Sequence, residues 1–133
     1  MKTRLQTLEN NIIQLEKFRE KQTIHDITDD KTKEWALRYG LLESIQIMID
    51  ISCHLVSEHN LGKAETYAEC IRVLGETDII STEMVNTLTS MAGLRNILIH
   101  EYVKIDMNKL YNMLQDLDDL KEFSKIIHRQ FVG

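Results

Sequence analysis

Apolar residues recur at every third or fourth position along most of the chain, and this spacing predicts amphipathic helices. Residues suited to helix ends divide the pattern into five helical segments. Segment 22–30 is polar and predicted to be a turn, and residues 101–106 form a second link. The predicted helices span about 5–21, 31–58, 63–74, from 81 or 82 to about 100, and 107–131.

Local features make these helix predictions specific. Thr3 and Gln6 form a capping-box pattern at the first helix, and Gly75 is placed to end the third. The fourth helix becomes apolar almost all round near its end, which predicts that this end is buried. The longest helix carries an apolar stripe that we expect to face the core, formed by Trp35, Tyr39, Leu42, Ile45, Ile49 and Cys53.

Composition supports a helical fold. The chain has 133 residues, no proline and five glycines. All-β folds need many turns, and turns draw on proline and glycine, so the composition favours long uninterrupted helices. A chain of this length usually folds around one core. We therefore predict an all-α fold, an antiparallel bundle of four or five helices, in a single domain spanning residues 1–133.

Several classes of protein can be set aside. Apolar runs are too short for a membrane-spanning helix, and the first residues are polar, unlike a signal segment. Cys53 and Cys70 fit no zinc-binding spacing, so we expect two free thiols that fill small core positions in a reducing cytoplasm. Glu43, Asp50 and Glu58 do not form the pattern of a di-iron bundle. We expect a cytoplasmic protein with no metal, no cofactor and no membrane partner.

The net charge of −5 argues at first against a nucleic-acid ligand, because phosphate-binding proteins usually carry a basic surplus. The charge is unevenly distributed, however. Residues 41–90 carry 2 basic and 8 acidic side chains, whereas residues 1–40 carry 8 and 7, and residues 91–133 carry 6 and 6. The deficit therefore lies in the middle third, and both ends of the chain remain available to a phosphate.

One window combines polar side chains with the most apolar end of a helix. It contains Arg95, Asn96, His100 and Tyr102. Burying such groups unpaired costs on the order of several kcal/mol, so their presence calls for a reason. Arg95 and His100 are five residues apart, which places them roughly 140° apart around a continuous helix. They could meet only through the long arginine side chain, a break in the helix, or a second copy of the chain.

Arginine, asparagine and histidine suit RNA cleavage without a metal ion, in which the ribose 2′-hydroxyl attacks the adjacent phosphorus. A histidine side chain, with an unperturbed pKa of about 6.5, can take or give the proton. An arginine can grip the phosphate and stabilise the charge of the transition state. The residues alone leave another possibility open, namely a polar cluster that caps the helix end and pairs with buried carbonyl groups.

The extended string around these residues resembles the signature of the HEPN superfamily and, more narrowly, the HepT toxins. The matching features are Arg-x4-His, an asparagine directly after the arginine, and His-x-Tyr at the end. The resemblance covers almost the full chain, including its length and the place of the motif in the fourth helix. A bare Arg-x4-His is weak, but the whole string is specific: Met91-Ala92-Gly93-Leu94-Arg95-Asn96-Ile97-Leu98-Ile99-His100-Glu101-Tyr102.

The resemblance implies a site and a chemistry. Arg95 and His100 would be the catalytic pair of a metal-independent endoribonuclease that cuts transfer RNA or messenger RNA, with Asn96 in support. Such proteins are homodimers whose two motifs face each other, so the active site would be composite and lie at the dimer cleft. Asp50, which lies among apolar residues of the second helix, is interpreted as a buried partner of Arg95.

The resemblance also implies a partner. Proteins of this kind are toxins of type VII-like toxin–antitoxin systems, and a minimal nucleotidyltransferase antitoxin silences them. Tyr102 would be the tyrosine to which that enzyme adds AMP. A second function stays open, a non-catalytic HEPN module that binds nucleotides or a protein partner. The intact set of Arg95, Asn96 and His100 favours the nuclease, because a binding module need not keep all three.

Overall fold

A computed structural model describes residues 1–100 and 104–133, and within these ranges the chain is helical with no β-strand. A 3₁₀ turn at Met113–Asp116 joins the last two helices, and a π-helical turn at His128–Val132 follows them. The helices are α1 (Lys2–Lys21), α2 (Ile24–Asp29), α3 (Lys31–Glu58), α4 (Tyr67–Glu76), α5 (Thr82–Leu98), α6 (Met107–Asn112) and α7 (Leu117–Ile127).

The helices form the predicted antiparallel bundle, with α3 at its centre. α3 packs against α1, α4 and α5, and α7 closes the bundle against α1 and α5. One continuous apolar core runs through these contacts and includes the fully buried Phe123. Within the described ranges, no helix is both long enough and apolar enough to cross a lipid bilayer.

Short polar side chains fix the starts of the three helices that carry the site. The Asp30 carboxylate accepts a hydrogen bond from the backbone N–H of Thr32, at 2.9 Å, and so begins α3. Thr66 and Ser81 accept corresponding bonds at the first turns of α4 and α5. Each cap satisfies an N–H group that has no partner within its helix, so the sequence defines where these helices begin.

Several predicted helix ends are wrong, each for a local reason. α1 begins at Lys2 with no side-chain cap, so Thr3 and Gln6 do not form a capping box. Segment 22–30 contains α2, whose capping box is made by Thr23 and Asp26. The last predicted helix is interrupted by the 3₁₀ turn, and the predicted start of α4 at residue 63 falls in a loop.

Gly75 lies inside α4 and does not end it. α4 continues through Glu76, and the cap residue is Thr77. A Cβ atom on Gly75 would lie 2.5 Å from Cγ2 of Val85 on α5. Glycine is therefore needed at this position because α4 and α5 approach closely, not because the backbone turns there.

Two residues of the stripe predicted for α3 face solvent. Trp35 is 60% exposed and Tyr39 is 64% exposed. The first half of α3 instead turns Leu37 and Leu41 towards the core, where both are buried. Apolar residues occur on both of these helix faces, so spacing alone could not show which face packs against the bundle.

Cys53 and Cys70 form a disulfide, so the prediction of two free thiols is wrong. α3 and α4 pack side by side and bring the two Cα atoms to 5.1 Å. The bond ties the first half of α4 to α3. The argument for a reducing compartment that rested on free thiols no longer applies.

Candidate functional site

Arg95 lies on the last turn of α5 and is held by side chains from three helices. Its Nε donates a hydrogen bond to Oε1 of Gln46 on α3, at 2.6 Å. Its Nη1 donates to Oδ1 of Asn96, at 3.1 Å. The guanidinium carbon lies 5.1 Å from the centre of the Tyr67 ring, the first residue of α4. These contacts fix the plane of the guanidinium group, and Arg95 remains only half-buried.

Gln46 connects Arg95 to Asp50. The Gln46 amide nitrogen donates to Oδ1 of Asp50, one turn further along α3, at 2.8 Å. Asp50 is half-buried, and its carboxylate reaches the guanidinium through the Gln46 amide. His54, one more turn along, pairs with Glu58. These bonds orient the Gln46 amide, because its oxygen accepts from the Arg95 guanidinium and its nitrogen donates to the Asp50 carboxylate.

α5 ends between Arg95 and His100. Its last residue is Leu98 and Ile99 is the cap, so His100 lies just beyond the helix. The backbone N–H of His100 donates to the carbonyl oxygen of Ile97, at 3.2 Å. His100 and Asn96 are both exposed. The sequence left three ways in which Arg95 and His100 could meet. The structure contains the break in the helix that one of them requires.

The structure brings three of the predicted site residues together and leaves one outside the described ranges. Arg95, Asn96 and Asp50 belong to one hydrogen-bonded group. His100 lies at the same end of α5, whereas Tyr102 lies outside the described residues. Among the described residues, no three histidine, cysteine, aspartate or glutamate side chains lie together so that they could hold a metal ion.

Gln46 and Tyr67 were missed by sequence reasoning. Gln46 is 49 residues before Arg95, and Tyr67 belongs to a different helix from either. Neither residue stands out from its neighbours, because each lies in an ordinary helical pattern. Only the packing of α3, α4 and α5 brings them to the guanidinium group.

The exposed aromatic residues of α3 lie beside the end of α5. A groove of about 360 Å³ is lined by four apolar or aromatic residues, Trp35, Tyr39, Leu42 and Leu98, and by the charged Lys31, Glu34 and Arg38. Ile99, the next residue along the chain, is also exposed. We call Trp35, Tyr39 and Ile99 the apolar patch. It places apolar surface next to the segment that leads to His100.

Comparison with known proteins gives a consistent result. The profile of the HepT-like family, described as ribonuclease HepT-like, matches residues 8–127. A transfer-RNA nuclease HepT from Aphanizomenon flos-aquae is 31% identical over 111 residues, which cover 84% of this chain and 75% of that protein. A messenger-RNA nuclease HepT from Shewanella oneidensis is 25% identical over 99 residues, or 74% of each chain.

A solved structure shares the fold. It is the tri-AMPylated HEPN toxin of Shewanella oneidensis in complex with its MNT antitoxin. The two chains superpose with a TM-score of 0.86 and 21% identity, and 96% of each chain is covered. At 21% identity, this likeness shows that the helices are arranged in the same way and shows nothing more.

Proposed function

The chain belongs to the HepT-like ribonuclease family, and on that premise we propose that it is the toxin of a toxin–antitoxin pair, a single-domain endoribonuclease that cuts cellular RNA in the cytoplasm. The observation that carries the proposal is the Arg95 guanidinium. Gln46, Asn96 and Tyr67 hold it in place while it remains partly open to solvent. A fixed and accessible guanidinium suits the recognition of a phosphate.

We propose that the reaction needs no metal ion. The ribose 2′-oxygen attacks the adjacent phosphorus, the bond from phosphorus to the 5′-oxygen breaks, and the products are a 2′,3′-cyclic phosphate and a free 5′-hydroxyl. His100 exchanges the proton that the 2′-hydroxyl loses or that the 5′-oxygen gains. Arg95 neutralises the charge that grows on the phosphoryl oxygens, and Asn96 keeps the guanidinium in position.

We propose further that the active site is composite and lies at the cleft of a homodimer. The apolar patch supports this, because exposed apolar side chains that cluster beside a site are typical of an interaction surface. A second copy that covers the patch would bring the two α5 ends together. The cleft between the two chains would then contain groups from both of them.

The proposed partner is a minimal nucleotidyltransferase antitoxin that transfers AMP from ATP to Tyr102. The tyrosine oxygen forms a bond to the α-phosphorus, pyrophosphate leaves, and the phenol loses its proton. The added phosphate carries negative charge two residues from His100, so it would repel the RNA backbone and occupy its place. The toxin–antitoxin complex among the structures with the same fold supports the choice of partner.

Cleavage of a defined RNA in the presence of EDTA tests the reaction. We expect the wild-type dimer to cut, and both Arg95→Ala and His100→Ala to lose at least about 100-fold in rate. His25→Ala is the matched control, since His25 is exposed and lies on α2. Retained cleavage by His100→Ala would refute the mechanism, and cleavage lost in EDTA would refute metal independence. A wild-type protein that binds nucleotides but cuts nothing would support the binding module instead.

Intact-mass measurement tests the modification. After incubation with the nucleotidyltransferase and ATP, we expect the mass to rise by one or more AMP units. Tyr102→Phe should abolish the increase. Tyr39→Phe should not, although Tyr39 is one of the exposed tyrosines. An increase that persists in Tyr102→Phe would assign the modification to another residue.

A further inference from the structure

A second groove lies beside the two neighbours of the guanidinium group, Tyr67 and Asn96, between the start of α4 and the last turns of α5. Its volume is about 600 Å³, within the range of roughly 300–1,000 Å³ that is typical of ligand sites. The groove reaches the candidate site directly, because Asn96 forms part of its wall. We call it the α4–α5 groove; its lining includes Glu65, Thr66, Tyr67, Thr89, Gly93 and Asn96.

The chemistry of this lining suits a nucleobase better than a phosphate. Tyr67 is 42% exposed even though Arg95 covers part of its ring, so aromatic surface remains for stacking. Asn96 uses its Oδ1 for Arg95, and its amino group can therefore donate to a ring nitrogen or carbonyl oxygen of a base. The Glu65 carboxylate repels a phosphate but accepts hydrogen bonds from the amino group of a base.

Gly93 keeps the groove open. A Cβ atom at this position would meet nothing within 4 Å, and the residue is exposed on the face of α5 that borders the groove. The open space cannot be explained by close packing of α5 against another helix, in contrast to Gly75. A larger side chain at position 93 would project into the groove without disturbing the protein.

We infer that the α4–α5 groove holds one nucleobase of the RNA, next to the phosphate that Arg95 binds. This inference rests on the proposed ribonuclease function and adds a source of sequence preference to it. The guanidinium borders the groove, because it contacts both Asn96 and the Tyr67 ring, two residues of the groove lining. Asn96 and Tyr67 would therefore contact the base and also hold the guanidinium group that binds the phosphate.

Gly93→Val is the decisive variant, because it narrows the groove and replaces none of the groups that contact Arg95. Ser90→Val is the matched control, since Ser90 is exposed on α5 and does not line the groove. We expect Gly93→Val to lower kcat/KM on oligonucleotides at least about 10-fold and to abolish the base preference beside the cut. Glu65→Gln replaces an acceptor-only carboxylate with an amide that can also donate, so it should change which base is preferred.

Binding measurements separate this inference from the proposed reaction. In a His100→Ala background, fluorescence anisotropy with oligonucleotides that differ in one base should show the same loss for Gly93→Val and none for Ser90→Val. If Gly93→Val binds and cuts with the wild-type base preference, the groove is not a base site. If the wild-type protein cuts no RNA, the proposed function fails, and the anisotropy series still decides whether the groove recognises a base.

Discussion

Arg95 shows how a flexible side chain becomes a fixed one. A free arginine loses about 2 kcal/mol of rotamer entropy when it is immobilised, and a bound phosphate would otherwise have to supply this free energy. Here Gln46 and Asn96 take two N–H groups, and the Tyr67 ring lies under the plane. The site is therefore largely organised before any substrate binds.

Gln46 is predicted to act as a positioning residue. Gln46→Leu removes the acceptor for Nε of Arg95 and should lower kcat about 10-fold with little change in KM. Gln46→Glu keeps the acceptor and should recover most of the rate, although it faces Asp50. A purely structural role would be visible as a lower melting temperature in both variants. Unchanged kcat in Gln46→Leu would show that Nε needs no partner.

The Glu43 carboxylate links α1 to α3 and gives the fold a predictable pH dependence. It accepts hydrogen bonds from the Tyr39 hydroxyl and the Asn11 amide, both at 2.7 Å. These bonds, that of Tyr39 first, hold the pKa of Glu43 below the ordinary value of 4.5. A lowered pKa stabilises the folded state above the unfolded pKa, and this contribution disappears as the pH falls through the folded pKa.

Asn11→Leu should therefore destabilise the protein by about 1 kcal/mol at pH 7 and by less at pH 3. Urea unfolding at both pH values measures the difference. Asn10→Leu serves as the control, since Asn10 is the exposed neighbour on α1. An equal loss at both pH values would mean that the bond to the Glu43 carboxylate contributes nothing measurable to stability.

The candidate site residues that are contiguous along the chain could be predicted most directly from the sequence. Arg95 and Asn96 are adjacent, and their chemistry is legible from residue type alone. Asp50 was predicted to be a buried partner of Arg95, but it is half-buried, and Gln46, which was not predicted, lies between the two. Contacts between residues dozens of positions apart depend on the rotation of each helix about its axis, and a single sequence does not encode that rotation in any local pattern.

At the scale of the element, long helices with continuous apolar spacing were predicted best. α3 was predicted at 31–58 and spans Lys31–Glu58, because Asp30 marks its start and apolar spacing continues throughout. α2 was missed since it has six residues and buries only Ile27. The interruption after α6 was missed because no proline or glycine marks it.

The packing of α4 on α5 predicts opposite effects for two glycine substitutions. Gly75→Ala should destabilise the protein by about 1–3 kcal/mol, since its Cβ would collide with Val85. Gly93→Ala should stabilise it by up to about 1 kcal/mol, because alanine favours the helix and the position is open. Chemical denaturation of both variants measures the pair. Equal effects would mean that helix propensity outweighs the contact with Val85.

At the scale of the whole molecule, the apolar surface is distributed unevenly. The described residues expose five large apolar side chains, and the apolar patch accounts for three of them. The sequence predicted Trp35 and Tyr39 to be apolar core residues, and within one chain they are not. In the proposed homodimer they would be buried, so the periodicity of α3 would reflect two interfaces, one with the bundle and one with a second copy.

The proposed composite site can be tested by combining two inactive chains. Arg95→Ala and His100→Ala, co-expressed with different tags and purified through both, form a dimer that keeps one of its two cross-chain pairs, Arg95 of one chain and His100 of the other. If the pair acts across the dimer, this heterodimer should recover about half of the wild-type rate. A dimer of wild type with the double variant Arg95→Ala/His100→Ala is the reciprocal control, because it has no intact pair of Arg95 and His100 across the interface. The opposite result, an inactive first dimer and a half-active second one, would mean that each chain cuts with its own Arg95 and His100, and that the break at the end of α5 is sufficient to bring them together.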